Sequence, residues 1–158
     1  MADDWRVLYP IMSDPVVMAH WDSPELADPE VCQRMVAAEI EEMEAGLASY
    51  WAVEDGQRHS FMGACDLSDI EWRHHRGEVG FVFAREAWGQ GYAFEAMGAV
   101  IAHAAARRLK RLWARTHAGN ERSERLLERL GFEPEGYLRG HIQRAGERRD
   151  CKVFGLLL

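Results

Sequence analysis

Apolar residues at Cys32, Val36, Ile40, Met43 and Leu47 recur at spacings of four, four, three and four, the period of a helix with one apolar face. Asp28, Pro29 and Glu30 just upstream supply an N-cap, a first-turn proline and a first-turn acid, so the pattern predicts a helix from Asp28 to the neighbourhood of Gly46 to Ser49. Helical composition returns from Gly91 to Arg108. It returns again where Ser123, Leu126, Leu127 and Leu130 follow Asn120 and precede Gly131, with a cap at one end and a stop at the other. Near the start, Asp3 to Met12 places Trp5, Leu8, Tyr9 and Met12 on one side of a helix that Pro10 shortens or bends.

Between these helices the pattern is that of strands. Tyr50 to Val53 and Ser60 to Leu67 flank the turn Glu54-Asp55-Gly56-Gln57, which predicts an antiparallel pair. Glu78 to Phe83 is a short β-branched and aromatic run, and Leu109 to Thr116 is a second one centred on Leu112-Trp113-Ala114. A helix links those two, so they are expected to lie parallel. Asp69 to Gly77 reads as a polar loop carrying His74, His75 and Arg76, the kind of segment on which substrate-facing residues often sit. Ser13-Asp14-Pro15 and Ser23-Pro24 punctuate Val16 to Trp21, while Tyr137-Leu138 and Lys152 to Leu158 read as a closing pair of strands. The fold class is therefore α/β, a mixed sheet with helices on both faces.

Composition narrows the function classes. A chain of 158 residues, 47% hydrophobic, predicts one domain spanning 1–158 with a substantial core. The net charge is −7 and there is no long Lys/Arg run, so no nucleic-acid partner is expected. Arg107, Arg108, Lys110 and Arg111 read as a basic helix C-terminus opposing its dipole. Cys32, Cys65 and Cys151 are odd in number and far apart, and the seven histidines show no ligand spacing, which predicts neither a disulfide framework nor a metal site. Met1 to Asp4 is acidic where a leader would be basic, and no apolar run approaches membrane-spanning length. The expectation is a soluble cytoplasmic protein without a membrane partner.

The candidate chemistry lies just after the Glu78 to Phe83 strand. Ala84 to Ala87 breaks the strand, and Trp88-Gly89-Gln90-Gly91-Tyr92-Ala93 then places two glycines around one residue at the opening of a helix. Glycine permits positive φ and close approach of a ligand to the backbone. A tight glycine turn opening a helix leaves N–H groups converging at the positive end of its dipole, where phosphates bind. The same residues also read as a structural turn without a ligand. There is no Gly-Lys-Ser/Thr ending, and the glycine spacing differs from the dinucleotide fingerprint.

Trp88 to Ala96 follows the form Trp-Gly-x-Gly-Tyr-Ala-x-Glu-Ala, and Asn120-Glu121-Arg122-Ser123 precedes Leu130-Gly131-Phe132. Together, in this order, the two stretches resemble the GNAT superfamily of acyl-CoA N-acyltransferases, in the branch similar to RimJ/RimL ribosomal-protein N-terminal acetyltransferases. The resemblance covers nearly the whole chain. It implies the GNAT fold, a mostly antiparallel mixed sheet splayed at its central parallel pair. It also implies acetyl-CoA as cosubstrate, no metal, and direct attack of a primary amine on the thioester.

On that resemblance the diphosphate would lie on backbone N–H groups of Trp88, Gly89, Gln90, Gly91, Tyr92 and Ala93. The pantetheine arm would pair with the backbone of Val82, Phe83 and Ala84. Asn120 would bond the arm, and Ser123 would give the departing thiolate its proton. By position alone, the same two residues read as a helix cap and a first-turn residue. Some relatives carry a carboxylate after the Gly-Phe, but Arg139-Gly140-His141-Ile142-Gln143 offers none before Glu147. Glu78, His117 and His141 remain as general bases, with Glu78 preferred because a carboxylate on a buried strand needs an explanation. The acceptor would be a small-molecule amine or a protein N-terminus, in a pocket that Trp5, Trp21 or Trp72 could line. The alternative is a non-catalytic acyl-CoA-binding module. Relatives usually begin with a strand that this chain lacks, which would leave Tyr50 to Val53 at a sheet edge, and a homodimer is one way to cover it.

Overall fold

A computed structural model describes Met1 and Asp3–Leu158. Its elements run α1 (Trp5–Met12), α2 (Pro29–Glu44), β1 (Ser49–Glu54), β2 (Phe61–Glu71), β3 (Arg76–Phe83), α3 (Tyr92–Ala106), β4 (Arg111–His117), α4 (Glu121–Arg129), β5 (Glu133–Arg144) and β6 (Glu147–Leu157). Short 3₁₀ turns occupy Met18–His20 and Arg85–Ala87. No helix among the described residues is long and apolar enough to cross a membrane.

The six strands lie in the order β1-β2-β3-β4-β6-β5. Every neighbouring pair is antiparallel except β3 and β4, which α3 joins by a crossover and which therefore run parallel. That parallel contact is short. Arg76, Gly77 and Glu78 pair with Arg111, Leu112 and Trp113, and the strands then diverge. Val79–Phe83 and Ala114–His117 consequently face a gap in the middle of the sheet.

Strand alternation sends successive β3 side chains to opposite faces. Val79 and Phe83 join Leu67, Met97, Leu112, Leu127 and Phe154 in a core beneath α3 and α4. Val82 instead joins Leu8, Met12, Met18, Cys32 and Val36 under α1 and α2. Asp28 caps α2 by accepting from the Glu30 N–H at 2.9 Å, with Pro29 in the first turn as the sequence predicts.

Three expectations need correction. The α2 apolar face is shorter than its periodicity, because the helix ends at Glu44 and leaves Leu47 outside it, 63% exposed. Asp69 to Gly77 is a hairpin end rather than a loop. β2 continues to Glu71 through an irregular register, and Arg76 bonds the Glu71 carboxylate at 2.6 Å across the turn. That hairpin closes the start of β3, the opposite end from Phe83, so His74 and His75 stand away from the glycine turn. The basic cluster divides as well. Arg107 caps α3 and bonds Ser49, whereas Arg111 lies on β4 and forms a two-pronged pair with Glu135. β1 pairs with β2 alone and forms one edge of the sheet.

Candidate active site

The turn before α3 exposes its own backbone. Gly89 and Gly91 take φ of +74° and +93°, a region in which a side chain is strained. Gly91 caps α3 without any side-chain bond. Among the described residues, the amides of Gly89, Gln90, Gly91, Tyr92, Ala93 and Phe94 donate to no protein acceptor, and the helical ladder starts with Glu95 N–H to Gly91 O at 3.0 Å. Six free donors at a helix N-terminus make an anion cradle.

The cradle opens into a cavity of about 320 Å³ that reaches the gap between β3 and β4. Its walls include Phe81–Phe83 from β3, Val16, Val17, His20 and Trp21 from the segment after α1, and Asn120 and Ser123 from the start of α4. Arg122, Arg125 and Arg129 line it along one side of α4. Trp88 is pinned by its indole N–H to Phe83 O at 2.9 Å, with the Arg122 guanidinium over its ring.

Backbone alternation decides which β3 groups face the gap. Ala84 N–H donates to Met62 O at 2.9 Å, so Ala84 and, two residues back, Val82 turn their backbone toward β2. Phe81 and Phe83 turn theirs to the open side. A tether pairing there would meet Phe81 and Phe83 rather than Val82 and Ala84, a shift of register relative to the sequence reading.

A second cavity, of about 340 Å³, lies between α1, α2 and the sheet. It shares Trp21, Phe81 and Val82 with the first, so the two meet where the sheet splays. Its walls are largely apolar, with Leu8, Met12, Ile40 and Met43 among them, but Glu39 and Asp66 also line it. Burial, then Asp66 and Glu42, pushes the Glu39 carboxyl up to about 7. Asp66 is raised as well, chiefly by burial and against the Ser68 hydrogen bond. Gly80 makes room for it, since a Cβ there would collide with the Asp66 carboxylate. Burial holds the Cys65 thiol on the same wall up at about 12, leaving it no nucleophile.

The predicted residues separate into those brought together and those left apart. Trp88, Gly89, Gly91, Ala93, Asn120 and Ser123 line one cavity with Val82 and Phe83. The Asn120 carbonyl is the α4 cap, accepting from Ser123 N–H at 3.3 Å. Glu78 lines neither cavity. It sits four residues before Val82 on β3, about 13 Å along the strand, and burial pushes its carboxyl up to about 7 even though Arg115 pulls it down. His117 is buried with Nε2 2.9 Å from Asp22 Oδ1, and His141 is exposed on β5. Trp21 lines both cavities, whereas Trp5 and Trp72 line neither.

Sequence reasoning missed His20, Phe81 and the arginine row of α4. The row was visible as Arg122, Arg125 and Arg129 at helical spacing. The other two carried no local signal.

Comparison with known proteins bears on the family and the fold. The acetyltransferase (GNAT) domain family matches residues 1–133. An uncharacterized N-acetyltransferase of Bacillus licheniformis is 28% identical over 156 residues, covering 98% of this chain and 88% of that protein. The ribosomal protein uS5-alanine N-acetyltransferase of Escherichia coli (strain K12) is 31% identical over 113 residues, 70% of this chain, and the match spans 58% of that enzyme's length. The spermidine N-acetyltransferase of Vibrio cholerae, solved in complex with CoA and spermine, shares the fold with a TM-score of 0.85 at 20% identity, over 98% of this chain and 89% of that one.

Proposed function

The chain belongs to the GNAT acetyltransferase domain family, and on that premise we propose that it transfers an acetyl group from acetyl-CoA to a primary amine by direct attack on the thioester. The observation that carries this reading is the run of unbonded amides from Gly89 to Phe94, which opens onto a cavity leading into the splayed sheet. The diphosphate of acetyl-CoA sits on those amides, and Arg122, Arg125 and Arg129 supply positive charge to an anionic cosubstrate in a chain of net charge −7. The pantetheine arm follows the gap, pairing with the backbone of Phe81 and the N–H of Phe83, whose carbonyl already accepts from Trp88. Its acyl end lies near Val82, where the second cavity begins.

The acceptor occupies that second cavity. Its apolar walls suit the body of an amine, and Glu39 and Asp66, whose carboxyls burial raises, can pair with an ammonium that would draw them back to the ionised form. The neutral amine nitrogen attacks the thioester carbon, the C–S bond breaks, and Ser123, on the wall shared with Val82 and Phe83, gives its hydroxyl proton to the thiolate. Asn120 acts by capping α4 and so fixing the turn that carries Ser123. Both a small-molecule amine and a protein N-terminus fit this chemistry, as the spermidine and ribosomal-protein acetyltransferases among the similar proteins illustrate. The chain works as a single domain, and a second copy would cover the open edge of β1.

The test is a thermal shift with acetyl-CoA followed by CoA release across a panel of amines, with Ser123→Ala alongside. A rise in Tm and turnover with at least one amine support the reading. A rise in Tm without turnover on any amine would favour a binding module.

A further inference from the structure

We propose that the imidazole of His20 accepts the proton that the acceptor amine loses as it attacks the thioester, an assignment that rests on the acetyl transfer proposed above. His20 ends the Met18–His20 turn and lines the first cavity together with Val82, Phe83 and Ser123. The next residue, Trp21, lines both cavities. The imidazole therefore faces the cavity assigned to the acyl-CoA, one residue from the point where the second cavity opens. Glu78, His117 and His141 line neither cavity.

The turn that carries His20 is held from the other half of the sheet. Arg144 donates to the carbonyls of Met18 and Trp21, and Arg149 donates to Ala19 O at 3.0 Å. Asp22 lies 2.9 Å from both Arg115 and His117. Each residue around His20 is thus tied to β4, β5 or β6. Among the described residues, the His20 ring itself makes no hydrogen bond. An anchored backbone presenting an uncommitted imidazole to the first cavity, next to the Trp21 that lines both, is an arrangement a proton acceptor can use.

The ring's surroundings keep it ready to accept. The groups acting on it are His117 of β4, Arg122 of α4, Arg144 of β5 and Arg149 of β6. The nearby Asp22 is engaged by Arg115 and His117. Partial desolvation of this otherwise exposed ring, then these cationic and titratable neighbours, hold His20 below its ordinary value of 6.5, which favours the neutral imidazole. As the amine nitrogen bonds to the thioester carbon, its proton passes to the free ring nitrogen. The C–S bond breaks, the thiolate takes a proton from Ser123, and the imidazolium exchanges its proton with solvent, from which Ser123 is also replenished.

The experiment follows CoA release by the full chain with alaninamide and with 1,4-diaminobutane, between about pH 5.5 and about pH 9, for the wild type, His20→Asn and His20→Ala. Both variants are expected to lose about 10²- to 10⁴-fold in kcat near neutral pH, to keep the rise in Tm on adding acetyl-CoA, and to lose the acidic limb of the wild-type profile. Added imidazole is expected to restore part of the His20→Ala activity. Variants within about threefold of the wild type, or slow variants with an unaltered pH profile and no imidazole rescue, would overturn the assignment while leaving acetyl transfer intact. A wild type that binds acetyl-CoA yet releases no CoA with either amine would remove the acetyl-transfer reading, and the role of His20 with it.

Discussion

The guanidinium of Arg122 lies 3.6 Å from the centroid of the Trp88 ring, so α4 is clamped onto the residue that leads into the glycine cradle. Trp88 extends the connection to β3 through its bond to Phe83 O. The cradle, the splayed strand and the arginine row are therefore one mechanical unit. Arg122→Ala should weaken acetyl-CoA binding about tenfold, which corresponds to roughly 1.4 kcal/mol and is within the range of a partly desolvated cation–π contact plus lost charge. Arg122→Lys keeps the charge without the planar stacking and should fall between the two. Isothermal titration with acetyl-CoA checks both.

Gly91 and Gly98 are predicted to respond in opposite ways. Gly91 has φ of +93°, so Gly91→Val should cost about 1–2 kcal/mol from backbone strain and distort the donors proposed to meet the diphosphate. The Tm should fall, and the acetyl-CoA shift should shrink with it. Gly98 lies inside α3, without positive φ, and an added Cβ would meet nothing within 4 Å. Gly98→Ala should raise stability by about 0.5–1 kcal/mol in denaturant melts and leave binding unchanged.

Arg144 is 8% exposed and bonds the carbonyls of Met18 and Trp21 as well as approaching Glu25. Removing it leaves Trp21 O without that donor and Met18 O with only the Trp21 N–H at 3.1 Å. Arg144→Ala should cost about 2–4 kcal/mol and free the Val16 to Trp21 segment that walls both cavities. Hydrogen exchange should then accelerate at Met18 and Trp21 before the rest of the core.

Glu78 makes stability depend on pH. Its carboxyl titrates near the ordinary 4.5 when unfolded and at about 7 when folded. Below the lower value it is protonated in both states and contributes nothing. As pH rises through this window the unfolded chain ionises first, so stability falls, and the deficit is complete above about 7. Glu78→Gln should match the wild type in acid and exceed it in neutral buffer by something on the order of 2 kcal/mol, reduced by screening at a half-buried site. Thermal melts at a series of pH values test the sign. A constant offset at every pH would show that the carboxyl does not titrate in this range.

Much of this protein is local in origin. The Asp28-Pro29 start of α2, the positive φ at Gly89 and Gly91, the cap at Asn120, the β1–β2 hairpin and the β-branched and aromatic run of β3 follow from short-range sterics and from which residues avoid water. These were legible in the sequence, as was the pairing of the two motifs on one cavity. Tertiary structure alone decided that the splay expected at the parallel pair begins after Glu78, that Ala84 faces β2, and that Trp21 rather than Trp5 or Trp72 lines the cavities. The same holds for Glu39 of α2 lying near Asp66 of β2, and for the Met18–Trp21 backbone around His20 held by arginines from β5 and β6. Such encounters depend on strand register and on how helices cross the sheet, and no run of neighbouring residues encodes them.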